Sequence, residues 1–218
     1  MFVGHYGIAF ATKPAAPAVP LWVYFIAVQW LDVIWSILVL LGIEKLHIVA
    51  GFTEANALDL YYMPYTHGLP GAVVLSAVLG AIVAATVARR RATAFLAVSA
   101  AAFSHWILDL IVHVPDLPLY DNTDKVGFGL WRHVAISFPL ELGVLLAGTW
   151  FYARALPPAD RRGHIALRGF VALLALLQVY ANFGPPPSSE TAMAVTALVL
   201  YLALAAIAAW VERIRAAG

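Results

Sequence analysis

Residues 93–114 read TAFLAVSAAAFSHWILDLIVHV, and only His105, Asp109 and His113 among them are ionisable. An α-helix needs about 20 predominantly apolar residues to cross the hydrocarbon core of a bilayer. The stretch therefore predicts a transmembrane helix. Its three ionisable residues follow one another at i, i+4 intervals, so their side chains share one face of that helix.

Five further stretches resemble this one in length and apolar character. Together they predict six membrane spans, at residues 21–42, 69–88, 93–114, 131–153, 165–183 and 191–211. The whole sequence is 63% hydrophobic and only 11% charged, whereas soluble domains carry about 25% charged residues. We therefore predict an all-α integral membrane helical bundle, with residues 1–218 in a single domain.

The composition excludes several classes of function. The sequence has no cysteine, which excludes disulfides, thiolate metal sites and thiol catalysis. Its 13 lysines and arginines form no basic stripe with interleaved aromatic residues, so nucleic-acid binding is not expected. A retinal Schiff base is excluded because Lys13, Lys45 and Lys125 all lie outside the predicted spans.

The distribution of positive charge predicts the orientation of the bundle. Three lysines or arginines lie on one side of the six-span arrangement, namely Lys45, Lys125 and Arg132. Ten lie on the other side, namely Lys13, Arg89, Arg90, Arg91, Arg154, Arg161, Arg162, Arg168, Arg213 and Arg215. Because cytoplasmic loops carry the excess of Lys and Arg, both termini are expected in the cytoplasm.

Residues 1–12 are mostly apolar but too short to cross a membrane. Lys13 and the prolines Pro14, Pro17 and Pro20 separate them from the first span. Two arrangements fit this pattern. One is a half-helix that enters the bundle from the cytoplasmic side and starts near the middle of the bilayer. The other is an amphipathic stretch that lies on the membrane surface.

Carboxylates and imidazoles recur at similar depth in several predicted spans. A charged group near the bilayer centre costs at least about 2.5–3.5 kcal/mol, so such residues mark a functional site by default. They are Asp32, His105, Asp109 and Glu141, joined by His5 if the half-helix forms and by His67 nearer the outer end. Mixed imidazole and carboxylate ligands suit zinc, manganese or iron, and this set would accommodate one or two ions.

The other histidines fit structural roles better. His47 and His164 lie in predicted loops, and His113 and His133 lie near the outer ends of their helices. A histidine in such a position more often donates a hydrogen bond between helices than it binds a metal. We therefore interpret His47 and His164 as structural. For His113 and His133 a structural role is favoured, and their membership of the site is left open.

Four short motifs occur in a fixed order over residues 1–115. They are Gly4-His5-Tyr6-Gly7, Trp30-Leu31-Asp32-Val33, Thr66-His67-Gly68-Leu69 and Ser104-His105-Trp106-Ile107-Leu108-Asp109. In order and spacing they resemble the membrane-bound metal-dependent hydrolases of bacterial inner membranes, the YdjM-like family. The resemblance implies a helical bundle in the inner membrane with a His/Asp metal site and hydrolytic activity. The sequence departs from the family at Met63-Pro64, where a His-Arg pair is common.

We therefore expect a metal site between the first four spans, reached from the outer side of the membrane. Its ligands would be His5, Asp32, His67, His105 and Asp109, with zinc favoured over manganese or iron. Glu141 would be a further ligand or the general base that takes a proton from water. A site within hydrocarbon indicates a lipid or lipid-linked substrate, with a phosphoester as the first expectation and an amide or carboxylic ester as the second.

Membrane lipids are the expected partners, and the last two spans leave room for other functions. Their notable polar residues are Gln178 and Asn182, so these spans are expected to shield the site or to form a homo-oligomer. The same acids and histidines could instead relay protons or carry a metal in a transporter, or stabilise a structural subunit of a larger membrane complex. Against a transporter, these two spans contribute no acidic residue and no histidine, and no inverted repeat is visible.

Overall fold

The structure is a computed structural model that describes residues 1–87 and 89–216. Within these residues the chain is mainly helical, and the predicted all-α fold class is confirmed. The helices are α1 Val3–Thr12, α2 Leu21–Val28, α3 Trp30–Leu40, α4 Leu69–Thr86, α5 Arg91–Val112, α6 Val134–Ala155, α7 Arg161–Phe183 and α8 Glu190–Ala216. The segments Lys13–Ala15 and Leu130–Arg132 form short 3₁₀ turns.

Helices α4 to α8 are long and apolar enough to cross a membrane. They correspond to the last five predicted spans, with ends that differ by up to five residues. Position 88, the last of the predicted second span, lies outside the described residues. Helix α7 begins at Arg161 instead of residue 165 because Asp160 caps it: its carboxylate accepts the Gly163 N–H at 2.9 Å.

The first predicted span is broken. Helices α2 and α3 meet at Gln29 with a bend of 55°, and they count as one membrane span only if taken together. The break releases the Val28 carbonyl oxygen from helical hydrogen bonding, and this oxygen accepts a hydrogen bond from the His105 ring at 2.7 Å. The prediction of one continuous helix over residues 21–42 was therefore wrong. The break makes the Val28 carbonyl oxygen available to His105 in the polar centre of the bundle.

Helix α1 lies inside the bundle, as the half-helix prediction requires. Its residues from Val3 to Gly7 are buried, and it packs closely against α6. Glycines permit this approach: a Cβ on Gly7 would lie 2.3 Å from the Val144 carbonyl oxygen, and one on Gly148 would lie 1.9 Å from the Gly7 carbonyl oxygen. Small residues let buried membrane helices approach in this way. The alternative of a surface-lying amphipathic stretch does not describe this segment.

Two antiparallel hairpins connect helices at one end of the bundle, which we call the hairpin end. Strand β1, Lys45–Ile48, pairs with β2, Leu58–Tyr62, and β3, Leu117–Tyr120, pairs with β4, Thr123–Val126. The opposite end, which we call the arginine end, contains the loop between α6 and α7 and the end of α8. There the Lys13 ammonium lies 2.6 Å from Glu212, and the Ala159 N–H donates to the Arg215 carbonyl. Which end faces the cytoplasm stays a prediction from the charge distribution.

Candidate metal centre

Helix α5 supplies the middle of the polar cluster. His105 and Asp109 project from successive turns of this helix, and His105 Nε2 lies 3.0 Å from Asp109 Oδ2. His113 follows directly after the helix, and its Nε2 lies 3.4 Å from the same oxygen. All three side chains are buried. A carboxylate on a rigid helix thus lies between two imidazoles of the same chain segment.

Three other elements bring the remaining predicted ligands to this carboxylate. His5 on α1 stacks on the His105 ring with the ring centroids 4.0 Å apart, and its Nε2 lies 3.2 Å from Asp109 Oδ1. His67, just before α4, places Nε2 3.4 Å from Oδ1 of Asp32 on α3, and His105 Nε2 lies 3.5 Å from the same oxygen. The structure therefore gathers His5, Asp32, His67, His105 and Asp109 around one centre.

His113, whose membership of the site was left open, lies in this group. Its signal in the sequence was its position four residues after Asp109, which places it on the same face as His105 and Asp109. The Trp131 ring covers it with ring centroids 4.1 Å apart. His47, His133 and His164 are exposed and lie apart from the cluster.

Hydrogen bonds to the outer ring nitrogens fix the tautomers of two of these histidines. His105 Nδ1 faces the Val28 carbonyl oxygen at 2.7 Å, and His113 Nδ1 faces Asp116 Oδ1 at 2.8 Å. Carbonyl and carboxylate oxygens only accept, so both rings donate from Nδ1. In the neutral ring, Nε2 then carries the lone pair, and it points into the cluster. Metal-binding histidines in proteins are usually held in this way.

Thr66 and Glu44 fix the tautomer of His67 through a chain of hydrogen bonds. The Thr66 hydroxyl donates to Glu44 Oε2 at 2.6 Å, and its oxygen lies 2.8 Å from His67 Nδ1. Because the carboxylate can only accept, the hydroxyl proton points to Glu44, and the hydroxyl oxygen accepts from His67 Nδ1. The Nε2 lone pair of His67 therefore also faces the cluster. Glu44 is held in turn by the Tyr65 and Thr66 N–H groups.

The spacing of these atoms is compatible with metal coordination. Among the described residues, His5 Nε2 and His105 Nε2 are buried without a hydrogen-bond partner, although each lies close to an Asp109 oxygen. Ligands at about 2.0–2.1 Å from a tetrahedral zinc ion lie about 3.3 Å apart. The separations of 3.0, 3.2, 3.4 and 3.5 Å in this cluster lie around that value.

Two groups of three ligand atoms could each hold a metal ion. One consists of His5, His105 and Asp109, and the other of Asp32, His67 and His105. They share the Nε2 atom of His105, which has a single lone pair and can bind only one ion. Asp109 presents one oxygen to His5 and the other to His105 and His113. The donor set of imidazoles and carboxylates fits a divalent transition metal such as zinc.

Glu141 and Tyr201 lie at the edge of the cluster. Glu141 Oε2 accepts the N–H groups of Phe2 at 2.6 Å and of Gly4 at 3.3 Å, so it caps the buried N-terminus of α1. The hydroxyl of Tyr201 on α8 donates to Asp32 Oδ2 at 2.8 Å. No motif in the sequence marks this tyrosine. Because it bonds to Asp32, α8 does more than shield the cluster.

A cavity of about 510 Å³ opens from the cluster towards the hairpin end. Its polar part contains Asp32, His67, Asp109, His113 and Glu141. Its apolar part is lined by residues from α3, β2 and α8, namely Trp35, Leu58, Leu60, Met193, Ala197 and Leu200. The predicted ligands thus lie at the wall of a space large enough for part of a small molecule.

The tip of the first hairpin lines this cavity and is hydrogen-bonded to two other segments of the chain. We call residues 50–57 the cavity loop. Its Ala55 N–H donates to the Trp131 carbonyl at 3.0 Å, and its Ala55 carbonyl accepts from Asn182 Nδ2 at 3.0 Å. Asn182 also accepts from Gln178 Nε2 at 2.7 Å. The polar residues predicted on the fifth span therefore connect the cavity loop to the bundle.

Comparison of the chain with protein-family models, with curated proteins and with solved structures finds no match.

Proposed function

We propose that this protein is a membrane-embedded metal-dependent hydrolase of a lipid or lipid-linked substrate. The observation that carries the proposal is the convergence of imidazole Nε2 lone pairs and two carboxylates on one buried centre beside a cavity. Zinc is the favoured metal, with manganese or iron as alternatives, and one or two ions would be held. The resemblance of the four motifs to the YdjM-like family supports the same activity.

The residues divide into holding and proton-transferring groups. His5, His67, His105, His113, Asp32 and Asp109 would hold the metal, which polarises a scissile group and acidifies a water molecule when bound. Val28, Thr66 and Asp116 keep the Nε2 lone pairs of three histidines aimed inward. Glu141 lines the same cavity, and its Oε1 atom is the candidate acceptor for a proton from that water.

Glu141→Gln tests the hydrolase proposal. The amide oxygen can still accept the Phe2 and Gly4 N–H groups, so α1 keeps its cap, but the side chain can no longer take a proton. We expect the metal content to persist while turnover falls about 10²–10⁴-fold. Glu190→Gln is the matched control, because Glu190 is exposed at the start of α8.

Two results would contradict the proposal. Full turnover by the Glu141→Gln variant would remove Glu141 from the proton transfer. Metal or proton flux in sealed vesicles, without hydrolysis of any lipid, would favour the transporter alternative.

The proposed location is the bacterial inner membrane, with the hairpin end outside. Because the chain has no cysteine, single cysteines report the orientation directly. Cysteines placed at Asp121 and Ser188 should react with a membrane-impermeant thiol reagent in intact cells, and one at Ala159 should not. Reaction of a cysteine at position 159 would reverse the orientation.

A further inference from the structure

The charge of the cavity indicates which kind of group the proposed hydrolase would cleave. Four carboxylates line it, from Asp32, Glu54, Asp109 and Glu141, and no lysine or arginine side chain of the described residues does. Proteins usually bind phosphate groups with Arg or Lys side chains or with free backbone N–H groups. The cavity lining therefore lacks the first of these groups, a cationic side chain.

The cationic side chains at the hairpin end do not line the cavity. Lys125 Nζ donates to the Tyr61 carbonyl at 2.6 Å, and Lys45 Nζ lies 5.9 Å from the centroid of the Tyr62 ring. Arg132 is exposed. The Met1 nitrogen does line the cavity, but it lies 2.5 Å from Asp109 Oδ1 and is paired with that carboxylate.

At two helices, the second of these groups, a free helix N-terminus, is already occupied by side-chain oxygens of the chain. Helix α1 begins beside the His/Asp cluster, but the Phe2 and Gly4 N–H groups donate to the Glu141 carboxylate and the Val3 N–H donates to the Gln178 amide oxygen. At the start of α6, the Val134 N–H donates to Glu54 Oε2 at 2.9 Å. These backbone donors, which could bind an anionic ligand, therefore already have acceptors, and two of the three acceptor side chains are acidic.

A bound metal would not reverse this balance. One divalent ion leaves the four carboxylates with a net negative charge even if the Met1 nitrogen is protonated. Two ions bring the lining close to neutrality. With two ions and a protonated Met1 nitrogen the sum is at most one positive charge, which is less than the charge of a phosphate dianion. With one ion the lining stays negative and repels any anionic substrate.

The remaining lining suits an uncharged amphiphile. Trp35, Leu60, Met193 and Leu200 offer apolar contacts for a hydrocarbon chain, and Gln178 and Asn182 offer uncharged hydrogen-bonding groups next to them. An ester or amide carbonyl carries no charge to be repelled by the acids, and it can be polarised by a divalent metal.

We infer that the substrate is an uncharged acyl lipid cleaved at a carboxylic ester or amide bond, and not at a phosphoester bond. This inference rests on the proposed hydrolase function. In the reaction, the water oxygen bonds to the carbonyl carbon and the bond from that carbon to the leaving oxygen or nitrogen breaks. One proton of the water passes through Glu141 to the leaving alcohol or amine, and a carboxylic acid is released.

The experiment compares substrates with the same hydrocarbon chain. Zinc-loaded protein in detergent is given para-nitrophenyl dodecanoate, dodecanoyl para-nitroanilide and dodecyl para-nitrophenyl phosphate, with chelator-stripped protein as the blank. We expect metal-dependent release from the ester or amide at least about tenfold faster than from the phosphate. Faster release from the phosphate would overturn the inference and leave the hydrolase proposal intact. No metal-dependent release from any substrate would overturn the hydrolase proposal itself.

A charge variant tests the same inference by binding alone. Dodecanohydroxamic acid is a metal-binding amphiphile that is uncharged in neutral solution, and dodecyl phosphonate is its anionic counterpart. Wild-type zinc-loaded protein should bind the hydroxamate at least about tenfold more tightly. Glu54→Lys, which brings a cation to the lining, should narrow this ratio, and Glu190→Lys, outside the lining, should leave it unchanged. Equal affinities in the wild type would overturn the inference.

Discussion

Two buried polar clusters in this bundle differ in whether their polar atoms have hydrogen-bond partners. At the arginine end, Lys13 Nζ donates to the carbonyls of Pro17 at 2.8 Å and Val19 at 2.6 Å and pairs with Glu212 at 2.6 Å. All three ammonium protons have acceptors, so this cluster is complete. In the metal centre, the Nε2 atoms of His5 and His105 have no hydrogen-bond partner among the described residues.

The two clusters differ in what surrounds the atoms without partners. A buried group without a partner costs roughly 1–3 kcal/mol, and His5 Nδ1 and Arg215 Nη1 are also buried without one. What sets His5 Nε2 and His105 Nε2 apart is that each lies close to a carboxylate oxygen of the same buried group. A bound metal would satisfy both nitrogens, and we expect substitutions in the two clusters to differ accordingly.

The largest effect is expected from Asp109→Asn in the metal centre. The amide keeps the size of the side chain but loses the charge that faces three imidazoles, from His5, His105 and His113. Metal affinity should fall at least about 100-fold, more than a change in a supporting group would cause. Competition with a chelator measures it. His164→Ala is the control, and unchanged affinity of Asp109→Asn would remove this carboxylate from the centre.

Thr66→Val should have the next largest effect on the metal. It removes the hydroxyl that connects His67 to Glu44 and frees the His67 ring to change its tautomer. Loss of such a supporting group typically lowers metal affinity about 10–100-fold. Thr66→Ser keeps the hydroxyl and should restore the affinity. If valine and serine behave alike, the relay does not hold the histidine.

Lys13→Met should lower the free energy of unfolding and leave the metal affinity unchanged. A fully buried ion pair that loses one partner costs about 3–5 kcal/mol, and Glu212 is 25% exposed, so we expect a loss of about 1–3 kcal/mol. Unfolding in a denaturing detergent measures it. The metal affinity of the folded variant should equal that of the wild type. A matching loss of metal affinity would show that the two clusters are coupled.

Tyr201→Phe should have the smallest effect. It removes one hydrogen bond to Asp32 Oδ2, and a single hydrogen bond contributes about 1 kcal/mol, which corresponds to roughly fivefold in metal affinity. Chelator competition should detect this change, and metal content in excess metal should stay at the wild-type level. A loss as large as that of Asp109→Asn would show that Tyr201 itself belongs to the centre.

Two signals in the sequence predicted the last five spans and the five residues that the structure gathers around one centre. Long apolar stretches are easy to recognise, and an ionisable residue within them is costly enough to mark a site. Asp32, His105 and Asp109 stand out on this basis alone. His5 and His67 needed the motif order as well, because they lie outside continuous spans. Helix α1 could be described in advance only as one of two alternatives.

The supporting residues could not be predicted, because they are defined by contacts across the fold. Glu44 holds Thr66 from 22 positions away, and the Tyr201 hydroxyl reaches Asp32 across 169 positions. The helix break at Gln29 could not be predicted, because the adjacent residues include neither glycine nor proline. The role of His113 was left open for a related reason. Its distance from the centre of the bilayer indicated an interface, whereas Trp131 and Asp116 enclose it.

The central claim is that the histidine and aspartate cluster holds a divalent metal, and elemental analysis tests it most directly. Wild-type protein and the variants His105→Ala and His164→Ala are purified in parallel without chelator, and their metal per chain is measured. We expect one or two divalent ions in the wild type and in His164→Ala, and little metal in His105→Ala. A metal-free wild type, or full metal content in His105→Ala, would contradict the claim.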